Sequence, residues 1–79
     1  NFVTHGVQFE EAQTIFDDPL YVDFYDSDHS DEEKRFLCLG QSGNGRLLMV
    51  SYTERGNTIR LISAREATRR ERKDYEQEA

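Results

Sequence analysis

The second half of the chain is rich in arginine, whose guanidinium group matches the oxygens of a phosphate in a bidentate geometry. Residues 46–79 hold eight bases and six acids, a net charge of +2, whereas residues 1–45 hold two bases and ten acids. Several guanidinium groups on one surface could hold an RNA backbone and stabilise the charge that develops as a phosphodiester is attacked. The basic side chains concerned are Arg55, Arg60, Arg65, Arg69, Arg70, Arg72 and Lys73.

A second interpretation fits the same residues. A solvated helix face also carries runs of arginine, which pair with acids such as Glu66 and Glu71 about one turn away. The net charge of the whole chain is −6, which argues against broad, charge-driven RNA binding and leaves room for a local phosphate site. Composition therefore leaves both interpretations open.

Two residues, His5 and Glu54, are candidates for proton transfer. His5 has a side chain that titrates near neutrality, although a histidine beside a glycine equally fits a capping or packing role. Glu54 could polarise a hydroxyl group or form an ion pair with a nearby basic residue. Tyr52 and Tyr75 could stack on a nucleobase, although Tyr52 equally suits the core.

The sequence gives little support for metal-dependent or covalent catalysis. The acidic stretch 26–31 contains His29 and could bind a divalent cation, but it lacks the spacing of a calcium loop and equally fits a solvated loop. The sequence has no Walker A loop, no Cys/His zinc spacing and no nucleophile elbow, so we predict neither metal nor cofactor. Cys38 is the single cysteine; its apolar neighbours predict a buried strand residue in a protein of the reducing cytoplasm.

The elements that must position these residues follow from periodicity. Seventy-nine residues predict one domain over 1–79, without a signal peptide or an apolar run of about 18 residues that could span a membrane. A short helix is predicted over 7–16, ending before Pro19. Strands are predicted over 20–25, 35–41, 46–54 and 58–62, joined by turns at 42–45 and 56–57. Tight turns make this sheet antiparallel, and the fold class is α+β.

The last predicted helix carries most of the basic residues. Ser63 and Glu66 match a capping box, in which each side chain accepts a hydrogen bond from the other residue's free amide. The helix is therefore expected from about Ala64 to beyond Lys73, with Arg65 and Arg69 along one stripe.

Three stretches in order resemble the BrnT family of bacterial toxins, over nearly the whole chain. The first is His5-Gly6-Val7-x-Phe9-Glu10-Glu11-Ala12 followed by Phe16-Asp17-Asp18-Pro19. The second is Glu33-Lys34-Arg35-Phe36 followed by Gly40. The third is Tyr52-Thr53-Glu54-Arg55, then Ile59-Arg60-Leu61-Ile62-Ser63-Ala64-Arg65-x-Ala67, then Glu71 and Tyr75. Members usually begin with a further strand and carry Lys where Thr4 stands, so the resemblance implies a sheet without its first strand.

The resemblance implies a RelE-like fold and a ribonuclease that works in a type II toxin–antitoxin pair. Its partner would be a BrnA-like antitoxin with a ribbon-helix-helix domain, through which alone the toxin would meet operator DNA. By analogy with RelE-like enzymes, the ribose 2′-hydroxyl would attack the adjacent phosphate. Arg55, Arg60 and Arg65 would then stabilise charge, with His5, Glu54 or Tyr75 moving the proton. The remaining RNA-binding residues would be Arg35, Arg69, Arg72 and Lys73.

The alternative from another class is a non-catalytic binding module. In it, the arginine-rich face would dock an acidic protein or a nucleic acid without turnover. Catalysis requires the basic groups and a proton-transfer group to converge on one phosphate-sized site, whereas binding requires only an exposed basic surface. Convergence of His5, Arg55 and Arg65 would separate the two hypotheses.

Overall fold

A computed structural model describes residues 2–4, 6–27 and 34–78 of the chain. Its helices and strands, in chain order, are β1 (Phe2–Thr4), β2 (Val7–Gln8), α1 (Phe9–Thr14) with a following 3₁₀ turn (Ile15–Asp17), β3 (Val22–Tyr25), β4 (Arg35–Gln41), β5 (Leu47–Arg55), β6 (Thr58–Glu66) and α2 (Arg69–Glu78). The predicted α+β class is confirmed. No helix of the described ranges is long and apolar enough to cross a membrane.

The main sheet is a four-stranded antiparallel meander in the order β3-β4-β5-β6, as the spacing of turns predicts. Gly45 and Gly56 sit in the two tight turns with φ of 83° and 60°, a left-handed conformation that favours glycine. A second, two-stranded sheet was not predicted: β1 pairs with β2 and lies against β6. Gly40 of β4 lies under the 3₁₀ turn, where a Cβ atom would come within 3.1 Å of Ile15.

The predicted start of the last helix is wrong. Strand β6 continues through Glu66, so Ser63 and Glu66 belong to a strand and form no capping box. A bulge explains the error: Ser51 pairs with Ser63 but Tyr52 pairs with Leu61, which leaves Ile62 as an extra residue in β6. The extra residue shifts the alternation of apolar and polar side chains by one position. In the sequence, this interruption resembles the end of a strand.

The true capping box lies five residues further on. The Thr68 hydroxyl accepts a hydrogen bond from the Glu71 amide at 3.2 Å, and the Glu71 carboxylate accepts one from the Thr68 amide at 2.9 Å. Helix α2 consequently begins at Arg69 and extends beyond Lys73, as predicted for its far end. Arg65, which was predicted to lie on the helix, instead lies in β6.

The sheet carries apolar side chains on both faces. The larger cluster packs between the sheet and α1, and it consists of Val7, Ala12, Ile15, Cys38, Leu48, Val50, Tyr52, Leu61 and Ala64, with Phe16 and Phe36 at its border. The smaller cluster on the opposite face consists of Leu39, Leu47 and Met49, with Leu37, Ala67 and Tyr75 packed against it. Cys38 is fully buried, as predicted, and burial together with the Asp23 carboxylate raises the pKa of its thiol.

Polar contacts fix α1 to the turn between β4 and β5. The Glu11 carboxylate accepts hydrogen bonds from Ser42 Oγ at 2.7 Å and from Arg46 Nε at 2.9 Å, and its second oxygen pairs with Arg46 Nη2. Thr14 Oγ1 donates to the Glu11 carbonyl and accepts from the Gly43 amide, both at 2.7 Å. The bonds from Arg46 lower the pKa of Glu11 to about 2, although burial acts in the opposite direction.

Candidate functional site

Strand register places several arginines on the sheet face that α1 does not cover. Residues directly opposite each other in antiparallel strands share a face, and so do alternate residues along one strand. Thr53 of β5 is opposite Arg35 of β4 on one side and Arg60 of β6 on the other, so the three form a row across the sheet. Arg55 lies two residues beyond Thr53 and therefore shares this face. We call Arg35, Thr53, Arg55 and Arg60 the arginine platform.

The bulge at Ile62 adds Arg65 to the same face. Arg60 and Arg65 are five residues apart, so a regular strand would direct them to opposite faces. Because of the extra residue, Arg65 shares a face with Arg60. Arg65 is opposite Met49, which lies four positions before Thr53 on β5. All four arginines of the main sheet strands thus share the face opposite α1, although they were not all predicted to lie in strands.

Arg65 is nevertheless remote from the centre of the platform. Its register partner Met49 is six positions before Arg55 on β5, a backbone distance of roughly 20 Å at about 3.3 Å per residue. Arg55 and Arg65 therefore do not surround one phosphate. The Arg65 end of the face is also where Ala67 and Tyr75 pack on the small apolar cluster.

The guanidinium of Arg65 has a partner within the protein. It donates to both oxygens of Glu71, from Nη1 at 2.8 Å and from Nη2 at 2.9 Å, and Nη1 lies 3.3 Å from the Glu66 carbonyl. The bond from Arg65 lowers the pKa of Glu71 to about 2 against the effect of burial. Because Glu71 also belongs to the capping box, this ion pair ties the start of α2 to β6.

Tyr75 is likewise held by the protein itself. Its hydroxyl donates to Asp18 Oδ2 at 2.5 Å, and burial together with that carboxylate raises the pKa of Tyr75 to about 12. The Gln41 and Leu20 amides also donate to the Asp18 carboxylate. Although burial opposes them, these bonds and the one from Tyr75 lower the pKa of Asp18. Tyr75 therefore anchors α2 to the loop after the 3₁₀ turn and stays protonated at neutral pH.

Of the other proton-transfer candidates, Glu54 does not join the platform. Glu54 pairs in register with Ile59 and, as the neighbour of Arg55 on one strand, belongs to the opposite face. His5 lies outside the described residues, as does most of the stretch 26–31 with His29. The described residues hold no group of three or more His, Cys, Asp or Glu side chains arranged to bind a metal ion.

The basic residues of α2 form a separate surface. Arg69, Arg70, Arg72 and Lys73 are all exposed on the helix. Arg55 and Arg60 are exposed on the platform, and Arg35 is half-buried there. The predicted arginine cluster is therefore two groups: three strand arginines around Thr53, and four cations on α2.

Hydroxyl groups of the platform face were missed by sequence analysis. Ser51 and Ser63 are opposite each other in the row between Arg65 and Thr53. Thr53 is only 1% exposed, and its Oγ1 has no hydrogen-bond partner. Burial of a hydroxyl without a partner costs roughly 1–3 kcal/mol. The available signal was the alternation on β5, where Leu47 and Met49 give way to polar residues at every second position.

Comparison with known proteins gives one result for the chain. The profile of the family described as "Ribonuclease toxin, BrnT, of type II toxin-antitoxin system" matches residues 1–71. A search of curated proteins found no match. The family match includes every strand and the start of α2, and hence the whole arginine platform.

Proposed function

Because the chain belongs to the BrnT family of ribonuclease toxins of type II toxin–antitoxin systems, we propose that it is a metal-independent endoribonuclease that cleaves RNA and thereby inhibits translation. The row formed by Arg35, Thr53 and Arg60, with Arg55 beside it, carries the proposal. Cleavage by a ribose 2′-hydroxyl concentrates negative charge on the phosphate oxygens, and fixed guanidinium donors stabilise that charge as it develops.

The geometry changes the roles proposed for individual residues. Arg55 and Arg60 remain charge-stabilising residues, and Arg35 joins them because it shares a row with Arg60. Arg65 acts indirectly, through the ion pair that orients α2. Arg69, Arg72 and Lys73 are exposed and would contact flanking phosphates, which set affinity more than rate.

Proton transfer is assigned to His5 in this proposal. Tyr75 has a raised pKa and is bound to Asp18, so it is a poor base. Glu54 belongs to the opposite face of the sheet. An imidazole titrates near the pH at which a general acid or base is most effective.

A toxin of a type II system has an antitoxin partner. We propose a BrnA-like antitoxin with a ribbon-helix-helix domain, which binds operator DNA on behalf of the complex. Its toxin-binding segment would cover the exposed cations of α2 around Arg69 with acidic residues and an apolar anchor. A stable interface should bury at least roughly 1,000 Å². Replacement of Arg69 by Glu should slow association and leave the dissociation rate nearly unchanged, because rim charges act mainly on the on-rate.

A non-catalytic binding module is the second candidate. It is favoured by two observations. Arg55 and Arg65 do not converge on one phosphate-sized site, and Arg65 and Tyr75 are both occupied by protein carboxylates rather than left available to a substrate. In that case the platform would hold RNA without cleaving it.

The deciding experiment is an RNA-cleavage assay of the purified chain in EDTA, combined with a growth test on inducible expression. We expect cleavage that EDTA does not reduce, and growth arrest that requires the platform. Purified protein that binds RNA and leaves it intact would favour the binding module. Cleavage abolished by EDTA and restored by a divalent cation would contradict the metal-independent mechanism.

A further inference from the structure

The Thr53 hydroxyl differs from the hydroxyl groups of Thr14 and Ser42. Thr14 Oγ1 both donates and accepts within the protein, and Ser42 Oγ donates to Glu11. Thr53 is more deeply buried than Ser42, yet its Oγ1 has no partner. Of these three hydroxyl groups, the most deeply buried is therefore the unpaired one, and it lies at the centre of the arginine row. Such exceptions in a folded protein call for a ligand or another missing partner.

The neighbours of Thr53 indicate which ligand that is. Adjacent strands are about 4.8 Å apart, so the backbones of Arg35 and Arg60 lie roughly 10 Å from each other, with Thr53 midway. Both arginine side chains are long enough to reach over the threonine. Two guanidinium groups that flank a hydroxyl donor are complementary to a tetrahedral oxyanion, since all three groups donate hydrogen bonds.

Among the residues that the structure describes, Asp26 is an acid at the border of this row. The Asp26 amide donates to the Arg35 carbonyl at 2.9 Å, which continues the pairing of β3 with β4 by one residue. A carboxylate has two acceptor oxygens in one plane, whereas a phosphate group has more oxygens in a tetrahedral arrangement, so a phosphate is the better match for donors from all three residues of the row.

We infer that Thr53 is the central donor of an oxyanion site, in which a phosphate group bridges the guanidinium groups of Arg35 and Arg60 and accepts a hydrogen bond from the Thr53 hydroxyl. The identification of that phosphate as part of an RNA chain rests on the proposed function; the anion site itself does not. Because Thr53 is buried, the side chains around it must move for the phosphate to reach its hydroxyl. Thr53 is thus a binding residue that neither composition nor motif assigned.

The test compares the variants Thr53→Val, Thr53→Ser and Thr14→Val. The probes are a single-stranded oligonucleotide with 2′-O-methyl riboses, which cannot be cleaved by the 2′-hydroxyl route, and inorganic phosphate as its competitor. For Thr53→Val we expect a Tm equal to or above that of the parent, since an unpaired hydroxyl is replaced by a methyl group. Affinity for the oligonucleotide should fall about tenfold, and phosphate should compete less well. Thr53→Ser should retain the parental affinity.

Thr14→Val is the matched control, since it removes a hydroxyl that has two protein partners. We expect it to lower the Tm and to leave the affinity for the oligonucleotide unchanged. Should Thr53→Val prove difficult to purify, Thr53→Ala removes the same hydroxyl and repeats the binding measurement.

The outcomes separate this inference from the proposed function. Parental affinity in both Thr53→Val and Thr53→Ala would overturn the inference even if the protein cleaves RNA normally. A marked fall in Tm for Thr53→Val would show that the hydroxyl has a protein partner, which also overturns it. A parent that never cleaves RNA but binds the oligonucleotide, and loses that binding with the hydroxyl, would overturn the nuclease and support the anion site. Competition by inorganic phosphate equal to that by the oligonucleotide, per phosphate group, would identify a free-phosphate site rather than an RNA site.

Discussion

The buried hydroxyl groups on the two faces of the main sheet differ in how they are paired. On the α1 face, Glu11 is bound by Arg46 and Ser42, and the Tyr52 hydroxyl donates to Asp23 at 3.0 Å. On the platform face, Thr53 is buried without a partner between two arginines. Paired polar groups of the first kind contribute to the stability of the fold. The arrangement on the second face lowers stability, and its retention is explained by a ligand that completes it.

Two arginines provide the sharpest way to test this contrast. Arg60→Ala should reduce kcat for RNA cleavage by about 10²–10³-fold, which is typical for the loss of one charge-stabilising donor, and should leave the Tm unchanged. Arg46→Ala should do the reverse, because Arg46 binds Glu11 on the other side of the molecule. It should lower the Tm and leave cleavage per folded molecule unchanged.

Arg70→Ala serves as a control, since Arg70 is an exposed arginine of α2 outside the platform. The measurement is the cleavage rate of each variant, divided by its folded fraction from circular dichroism. If Arg60→Ala and Arg70→Ala cleave RNA equally fast, the platform is not the active surface.

Glu11 provides the largest expected effect on stability. Its pKa is lowered from 4.5 to about 2 in the folded protein, chiefly by the hydrogen bonds from Arg46. A lowered folded-state pKa means that the stabilisation is fully present above about pH 4.5 and is lost as the pH falls towards 2. Glu11→Gln should therefore reduce the free energy of unfolding by about 2 kcal/mol at pH 7 and by much less near pH 2. Urea denaturation at both pH values measures this, and an equal reduction at both would contradict it.

The Arg65–Glu71 ion pair should have a smaller effect, confined to α2. Both side chains are partly exposed to solvent, which screens their interaction, so Glu71→Gln should lower the free energy of unfolding by only about 1 kcal/mol. The same substitution weakens the capping box, so residues 67–68 should become more sensitive to limited proteolysis. Glu76→Gln, an exposed acid on the same helix, is the control. Unchanged proteolysis in Glu71→Gln would mean that Tyr75 and Asp18 alone hold α2 in place.

Sequence patterns were sufficient for the four strands and their antiparallel order, because strand-forming stretches are separated by polar or turn-forming residues and the turns at 42–45 and 56–57 are tight. They were insufficient for β6, where the bulge at Ile62 interrupts the alternation and a spurious capping motif follows. That one irregularity moved Arg65 from a predicted helix to a strand. Local patterns do not reveal a bulge, which is defined by pairing with another strand.

Only part of the candidate site could be predicted, because strand register, like the bulge, is defined by pairing between strands. The number of arginines indicated phosphate chemistry. Which arginines lie on the same face of the sheet depends on strand register, so the sequence could not show that Arg35 and Arg60 flank one residue. Thr53 could not be identified from the sequence because threonine is common in strands. Only its burial and the lack of a hydrogen-bond partner for its hydroxyl distinguish it. Predicted catalytic roles for Tyr75 and Glu54 stay untested, although the structure gives Tyr75 a structural partner in Asp18.

The smallest effects are expected from the cations of α2, which allow the extent of the active surface to be measured. Arg69→Ala and Arg72→Ala each remove one exposed charge that is not part of the platform. If each contacts one flanking phosphate, the slope of log affinity against log salt should decrease by about one for each substitution, with little change in kcat. Binding of the 2′-O-methyl oligonucleotide at several salt concentrations gives the slope, and single-turnover cleavage gives the rate. A fall in the cleavage rate as deep as that of Arg60→Ala would instead extend the catalytic surface from the sheet onto α2, and the division between a catalytic face and a binding helix would have to be abandoned.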